Sequence, residues 1–242
     1  MPVHLLLFMF VFVSNAVAQS FSVDERRPMA AILDKLELEF GVPIHYEDPR
    51  FVPERDTEDV ANQNLSMRIL LPSRVQLTVP RLYSSFPSAS EKTKQIQAAI
   101  DAYPSTGLPH EFMLDREGPY YFVGPRQKTQ AMMSVVVSIP LTAKHLPEAI
   151  ASLMDAVSKA TGVKAVFWNP QLVPYHLVDL EADREPAGKV LVRILNQLGP
   201  SNALSYRMRY DPAARYYMLN IQARGGSAIE TAPPPFSGPR RL

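Results

Sequence analysis

The chain of 242 residues contains no cysteine. That excludes a disulfide framework, a thiolate metal site, a cysteine nucleophile and lipid attachment through cysteine. Its net charge is only +1, which leaves no basic excess for a nucleic-acid footprint. Long apolar runs are also missing. Leu5 to Val13 is the longest near the N-terminus, far short of the roughly 20 residues a membrane helix needs. Glycine is modest at 10 and tryptophan is single, whereas proline is abundant at 23. Stiff connections therefore outnumber flexible ones, and a long helical array is not expected. What remains is an apolar fraction of 46%, enough for a packed core.

The short run Leu5–Val13 is followed by Ala16-Val17-Ala18, a small-residue cleavage site, and then Gln19. Residues 1–18 therefore read as a signal peptide, and the mature chain as periplasmic or secreted, with no transmembrane segment after cleavage. Residues 225–242, with Pro233-Pro234-Pro235, read as a disordered tail.

Between these ends the sequence repeats itself. Residues 27–52 lie over residues 148–173 without a gap, matching Ala30/Ala151, Asp34/Asp155, Gly41/Gly162, Val42/Val163, Pro49/Pro170 and Val52/Val173. Residues 108–123 lie over 204–219, matching Leu108/Leu204, Asp115/Asp211 and Tyr120-Tyr121 against Tyr216-Tyr217. Two matches in the same order predict two copies of one unit, 19–126 and 131–224, the first with an insertion near 53–74. Such an internal repeat points to a module that packs and binds.

The periodicities fill in each unit. Met29, Ile32, Leu33, Leu36 and Phe40 recur at helical spacing after Pro28, and Gly41 follows as an αL stop. Val42, Ile44 and Tyr46 then alternate as in a strand. Ser90–Tyr103 reads as a second helix, and His110–Leu114 with Tyr120–Val123 as a hairpin. The second unit repeats this: a strand at Val135–Ile139, a helix at Pro147–Ala160 stopped at Gly162, strands at Val163–Phe167 and His176–Leu180, a helix at Pro186–Leu198, and a hairpin from Tyr206–Tyr210 and Tyr216–Ile221. The fold class expected is α+β: two tandem small β-α-β-β-α-β modules, each with two helices on short mixed sheets.

Ser138-Ile139-Pro140, Leu146-Pro147-Glu148-Ala149-Ile150 and Ala160-Thr161-Gly162-Val163, followed by His176–Leu180 and Val190–Gly199, resemble the short N-terminal (STN) domain of secretins and TonB-dependent receptors. The first copy matches through Phe40-Gly41-Val42 and is more divergent. The resemblance implies a periplasmic protein-interaction domain without catalytic residues or cofactor, and hence an envelope protein as partner.

The residues themselves offer no catalytic pattern. The five histidines form no i, i+4 pair with an acid, so a metal site has no support. His176 alternates with Val178 and Leu180 and suits a half-buried ring better than a ligand. There is neither a Gly-x-Ser-x-Gly elbow nor a phosphate-cradling loop. Asp115 and Asp211 suit hairpin turns. The less ordinary pattern lies on the strands, where side chains alternate between faces. If one face of each sheet meets the helices, the other carries Val166, Trp168, Arg207, Arg209, Tyr216 and Met218 in the second unit. In the first it carries His45, Glu47, Glu111, Met113, Tyr120 and Phe122. Both faces are partly apolar, one with arginines and the other with acids. They are the interface candidates, either packed on each other or forming a partner surface together. The favoured function is thus an exported adaptor module without catalysis. The alternatives are a secreted hydrolase or envelope-polymer-acting enzyme without a recognisable motif, and a small-ligand carrier using the aromatic face.

Overall fold

The computed structural model describes residues 19–61, 69–83, 85–127, 131–199 and 204–223. The expected signal peptide, 1–18, and tail, 225–242, lie outside them. The protein is a mixed α+β fold with four α-helices, one six-stranded sheet and three two-stranded ribbons among the described residues. Among the described residues no helix is long and apolar enough to cross a membrane.

The first half begins with β1 (Ser20–Glu25) and α1 (Pro28–Phe40). Pro28 pre-sets the first helical turn, where its missing N–H costs nothing. Met29, Ile32, Leu33 and Leu36 face the core at helical spacing, and Gly41 at φ 62° ends the helix by donating its N–H to Glu37 O. Then come β2 (Ile44–Glu47), β3 (Thr57–Asp59), β4 (Leu70–Pro72) and β5 (Val75–Pro80). Next is α2 (Ala89–Ala102), opened by a capping box in which Ser88 and Glu91 each bond the other's backbone N–H. The hairpin β6 (Phe112–Glu117) and β7 (Tyr120–Pro125) closes this half.

The second half runs β8 (Val136–His145), α3 (Leu146–Thr161), β9 (Ala165–Phe167), β10 (Leu177–Pro186), α4 (Ala187–Asn196), β11 (Leu204–Asp211) and β12 (Tyr216–Ala223). Gly162 ends α3 at φ 68° and donates to Ser158 O, as Gly41 does to Glu37 O. The residue class decides both stops, because only glycine enters the left-handed region without a steric cost.

The long sheet has the order β6-β7-β2-β11-β12-β9. In the first half β2 pairs with β7 in parallel, Ile44 opposite Tyr121. In the second β9 pairs with β12 in parallel, Ala165 opposite Tyr217. Between them β2 and β11 pair in parallel, Tyr46 opposite Arg207 and Glu47 opposite Met208. Ribbons β1–β5 and β8–β10 lie on the outer sides of the helices. Ribbon β3–β4 occupies the span read as an insertion.

Two cores follow. One gathers α1, α2, β1 and β5 against Ile44, Tyr46, Tyr121 and Val123. The other gathers α3, α4, β8 and β10 against Tyr206, Met208, Tyr217 and Leu219. Alternation puts Arg207 on the α1 side of the sheet, while its neighbours Tyr206 and Met208 face α3 and α4. The two helix layers therefore cover opposite faces of one continuous sheet.

This arrangement corrects one expectation. The two outer faces do not pack on each other; each is covered in part by the other half's elements. Asp115 and Asp211 are also not equivalent. Asp115 stands opposite Phe122, two pairs before its turn, whereas Asp211 stands opposite Tyr216 at the turn itself and accepts from the N–H groups of Ala213 and Ala214.

Candidate interaction surface

The face of β2 and β7 that carries His45, Glu47, Tyr120 and Phe122 is closed over by the second half. Glu47 is buried; its carboxylate accepts from the N–H of Met132 and, at 3.1 Å, from that of Met133. Burial pushes its pKa up to about 8, with the two N–H groups acting against that rise. His45 is buried too, stacked on Tyr206 with ring centroids 4.6 Å apart and beside Phe122 at 4.9 Å. Its Nδ1 accepts from Tyr206 N at 3.3 Å. Burial, with Arg207 nearby, lowers its pKa to about 3, so the ring is neutral at ordinary pH. Tyr120 donates its hydroxyl to Asn196 Oδ1 at 2.8 Å, tying β7 to α4. Glu111 lies outside this contact and pairs on the surface with Arg126 at 3.2 Å.

Arg207, expected on the outer face of its own unit as an interface candidate, is completely buried. Its Nε donates to Asp34 Oδ1 at 2.8 Å and its Nη2 to Glu37 Oε2 at 2.6 Å. Nη1 donates to the carbonyls of Ile44 and Tyr206. Burial pulls its pKa down, and the two carboxylates outweigh that and raise it above the ordinary value. Alternation along β11 is as read from the sequence. What covers the residue is α1, from the far end of the chain. Asp34 and Glu37 of α1 are this arginine's partners. Arg209 is half-buried beside it. Burial lowers its pKa, Arg27 adds to that, and Nε lies buried without a hydrogen-bond partner.

A second ion pair, within the first half, reaches across the same joint by hydrogen bonds. Arg27 Nε donates to the buried Asp48 at 2.7 Å and Arg27 Nη2 to Tyr210 O at 2.8 Å. Asp48 Oδ2 also accepts from Tyr210 N at 3.0 Å, and Asp48 N donates to Met208 O at 2.8 Å. Sequence reasoning missed Asp48 and Arg27, since nothing at their spacing marks a contact between residues 27 and 210.

Val166, Trp168, Tyr216 and Met218 have no such cover. They stand on adjacent strands of one face, Val166 opposite Met218. Tyr216 and Met218 are half-buried, with the Lys164 ammonium 5.6 Å over the Tyr216 ring. Trp168 is 41% exposed and Leu172, just beyond it, 57% exposed. With Glu111 on the surface beside Arg126, the structure separates the other nine candidates. Glu47, Tyr120, Phe122 and Arg207 serve the joint between halves, Arg209 borders it, and Val166, Trp168, Tyr216 and Met218 form an open, largely apolar strip.

His110 Nε2 lies 3.1 Å from Asp56 Oδ2, and Asp56 also accepts from Val52 N and Arg55, so the pair fastens the loop after β2. No cluster of three or more potential metal-binding His, Cys, Asp or Glu residues occurs among the described residues. A hollow of about 580 Å³ is lined by Phe40, Arg81, Tyr83, Phe86 and Lys92. Its cations are already engaged: Arg81 pairs with Glu39, and Lys92 donates to Phe40 O at 3.0 Å. Comparison with protein-family models, curated proteins and solved structures finds no match for this chain.

Proposed function

We propose that the chain is an exported, non-catalytic protein-interaction module of the bacterial envelope. In this reading it is built from two STN-like units in tandem, residues 19–126 and 131–224, and acts in the periplasm or outside the cell. The shared strand register supports the tandem reading, since Ile44 opposite Tyr121 recurs as Ala165 opposite Tyr217. So do the matched αL stops at Gly41 and Gly162.

One observation carries the interaction role. The sheet face bearing His45 and Glu47 in the first unit is covered by protein, and the face bearing Val166 and Trp168 at the same positions of the second unit is not. A contiguous apolar strip of this kind marks an interface. A photo-crosslinking amino acid at Met218, with Lys94 on the solvent side of α2 as control, tests it in the native envelope. A discrete adduct at Met218 and none at Lys94 is expected. Absence of adducts at Met218 and at Trp168 removes the interaction role.

A further inference from the structure

We propose that the open end of the sheet receives a second copy of this chain, β6 of one molecule adding in parallel to β9 of the next. The inference rests on the two-unit reading and names the partner of its exposed face.

The template is inside the molecule. At the internal joint β2 of the first unit meets β11 of the second through two paired residues, Tyr46 with Arg207 and Glu47 with Met208. Beyond that pairing Asp48 N donates to Met208 O, and Phe51 inserts into the α3–α4 core. The outer strands of the sheet are the counterparts of these two. β9 stands to β12 as β2 stands to β7. β6 stands to β7 as β11 stands to β12; Leu114 faces Val123 where Met208 faces Leu219. Among the described residues neither outer edge has a strand partner. Such edges present unpaired backbone groups that another chain can extend.

The side chains show the same difference between a filled and an empty joint. His45 (1% exposed), Glu47 (4%) and Phe51 (2%) are buried at the internal joint. Their counterparts at the free end are Val166, half-buried, Trp168 (41%) and Leu172 (57%). One sequence repeat thus places an apolar residue at all three positions of the free end and leaves two of them in water.

The geometry permits the step. From the first unit to the second the strand directions reverse and the helix layer changes face. Repeating that operation restores both, so an incoming copy stands in the same orientation as the first and is displaced along the sheet. Its β6 then runs parallel to β9, as β11 runs parallel to β2. The internal register places Phe167 opposite Met113 of the incoming copy and Trp168 opposite its Leu114. The incoming α2 flanks Trp168 and Tyr216 as α4 flanks Tyr120. Because the two surfaces differ, the contact is heterologous and continues end to end.

The test uses the full mature chain in sedimentation velocity across a dilution series. The wild type is expected to pass from monomer to dimer and longer species as concentration rises. W168E/L172E blocks the β9 end and M113E/R116E blocks the β6 end; all four side chains are exposed, and circular dichroism checks that both variants fold. Each variant alone is expected to stay monomeric, and an equimolar mixture to form a dimer and nothing larger. A wild type that stays monomeric throughout, a closed dimer that grows no further, or a single-end variant that assembles like the wild type overturns the proposal. If the wild type is monomeric while Met218 still crosslinks to a different protein, self-association falls and the interaction reading stands.

Discussion

Replacing Arg207 by methionine should weaken the joint between the two halves. The guanidinium is completely buried and bonds Asp34, Glu37, and the carbonyls of Ile44 and Tyr206. Methionine matches the stem but leaves the nearly buried Glu37 carboxylate without its cation. Breaking a buried pair in this way costs about 3–5 kcal/mol. In a chain of this size each kcal/mol corresponds to roughly 2–4 °C of melting temperature, so a fall of about 6–20 °C is expected. The assay is thermal unfolding of the mature protein at pH 7. The triple variant R207M/D34N/E37Q, which removes the charges together, should recover part of the loss, because a buried triad and its neutral replacement are often similar in stability. A melting temperature for R207M within about 2 °C of wild type, corresponding to under 1 kcal/mol, refutes the assignment of Arg207 as the buried link between α1 and β11.

Three other outcomes are expected. Gly162→Val should destabilise by about 1–2 kcal/mol, because φ is 68° there and no atom lies within 4 Å of the new Cβ, so backbone strain alone is read; an unchanged melt contradicts the αL stop. Glu47, whose pKa is raised to about 8 by burial, favours folding when protonated, so its contribution is full below its ordinary value near 4.5 and is lost as pH rises through about 8. Denaturant midpoints of wild type should therefore decline between these values more steeply than those of Glu47→Gln, and parallel curves exclude the effect. Trp168, the only tryptophan, should emit at long wavelength and be quenched by iodide in the dilute monomer, moving to shorter wavelength on concentration; blue emission at all dilutions contradicts its exposure.

Local chemistry alone determined much of this chain. Pro28 and the spacing of Met29, Ile32 and Leu36 mark α1 within the residues observed, and Gly41 and Gly162 stop their helices at the positions read from the sequence. Which side of each strand a residue occupies was also legible, because alternation is a property of the backbone. Val166 and Trp168 accordingly lie away from the core beneath α3, and Arg207 away from Met208. Whether those positions meet water was not legible. The ladder between β2 and β11 is made by main-chain groups that every residue carries, so no sequence pattern announces that pairing. The helix layers fall on opposite faces of the sheet only once that joint forms. Tertiary structure then decided that Arg207 is covered by Asp34 and Glu37, that Glu47 meets the Met132 and Met133 amides, and that Trp168 is left exposed. Burial is a relation between segments 85 or more residues apart in these contacts, whereas periodicity reports only on neighbours.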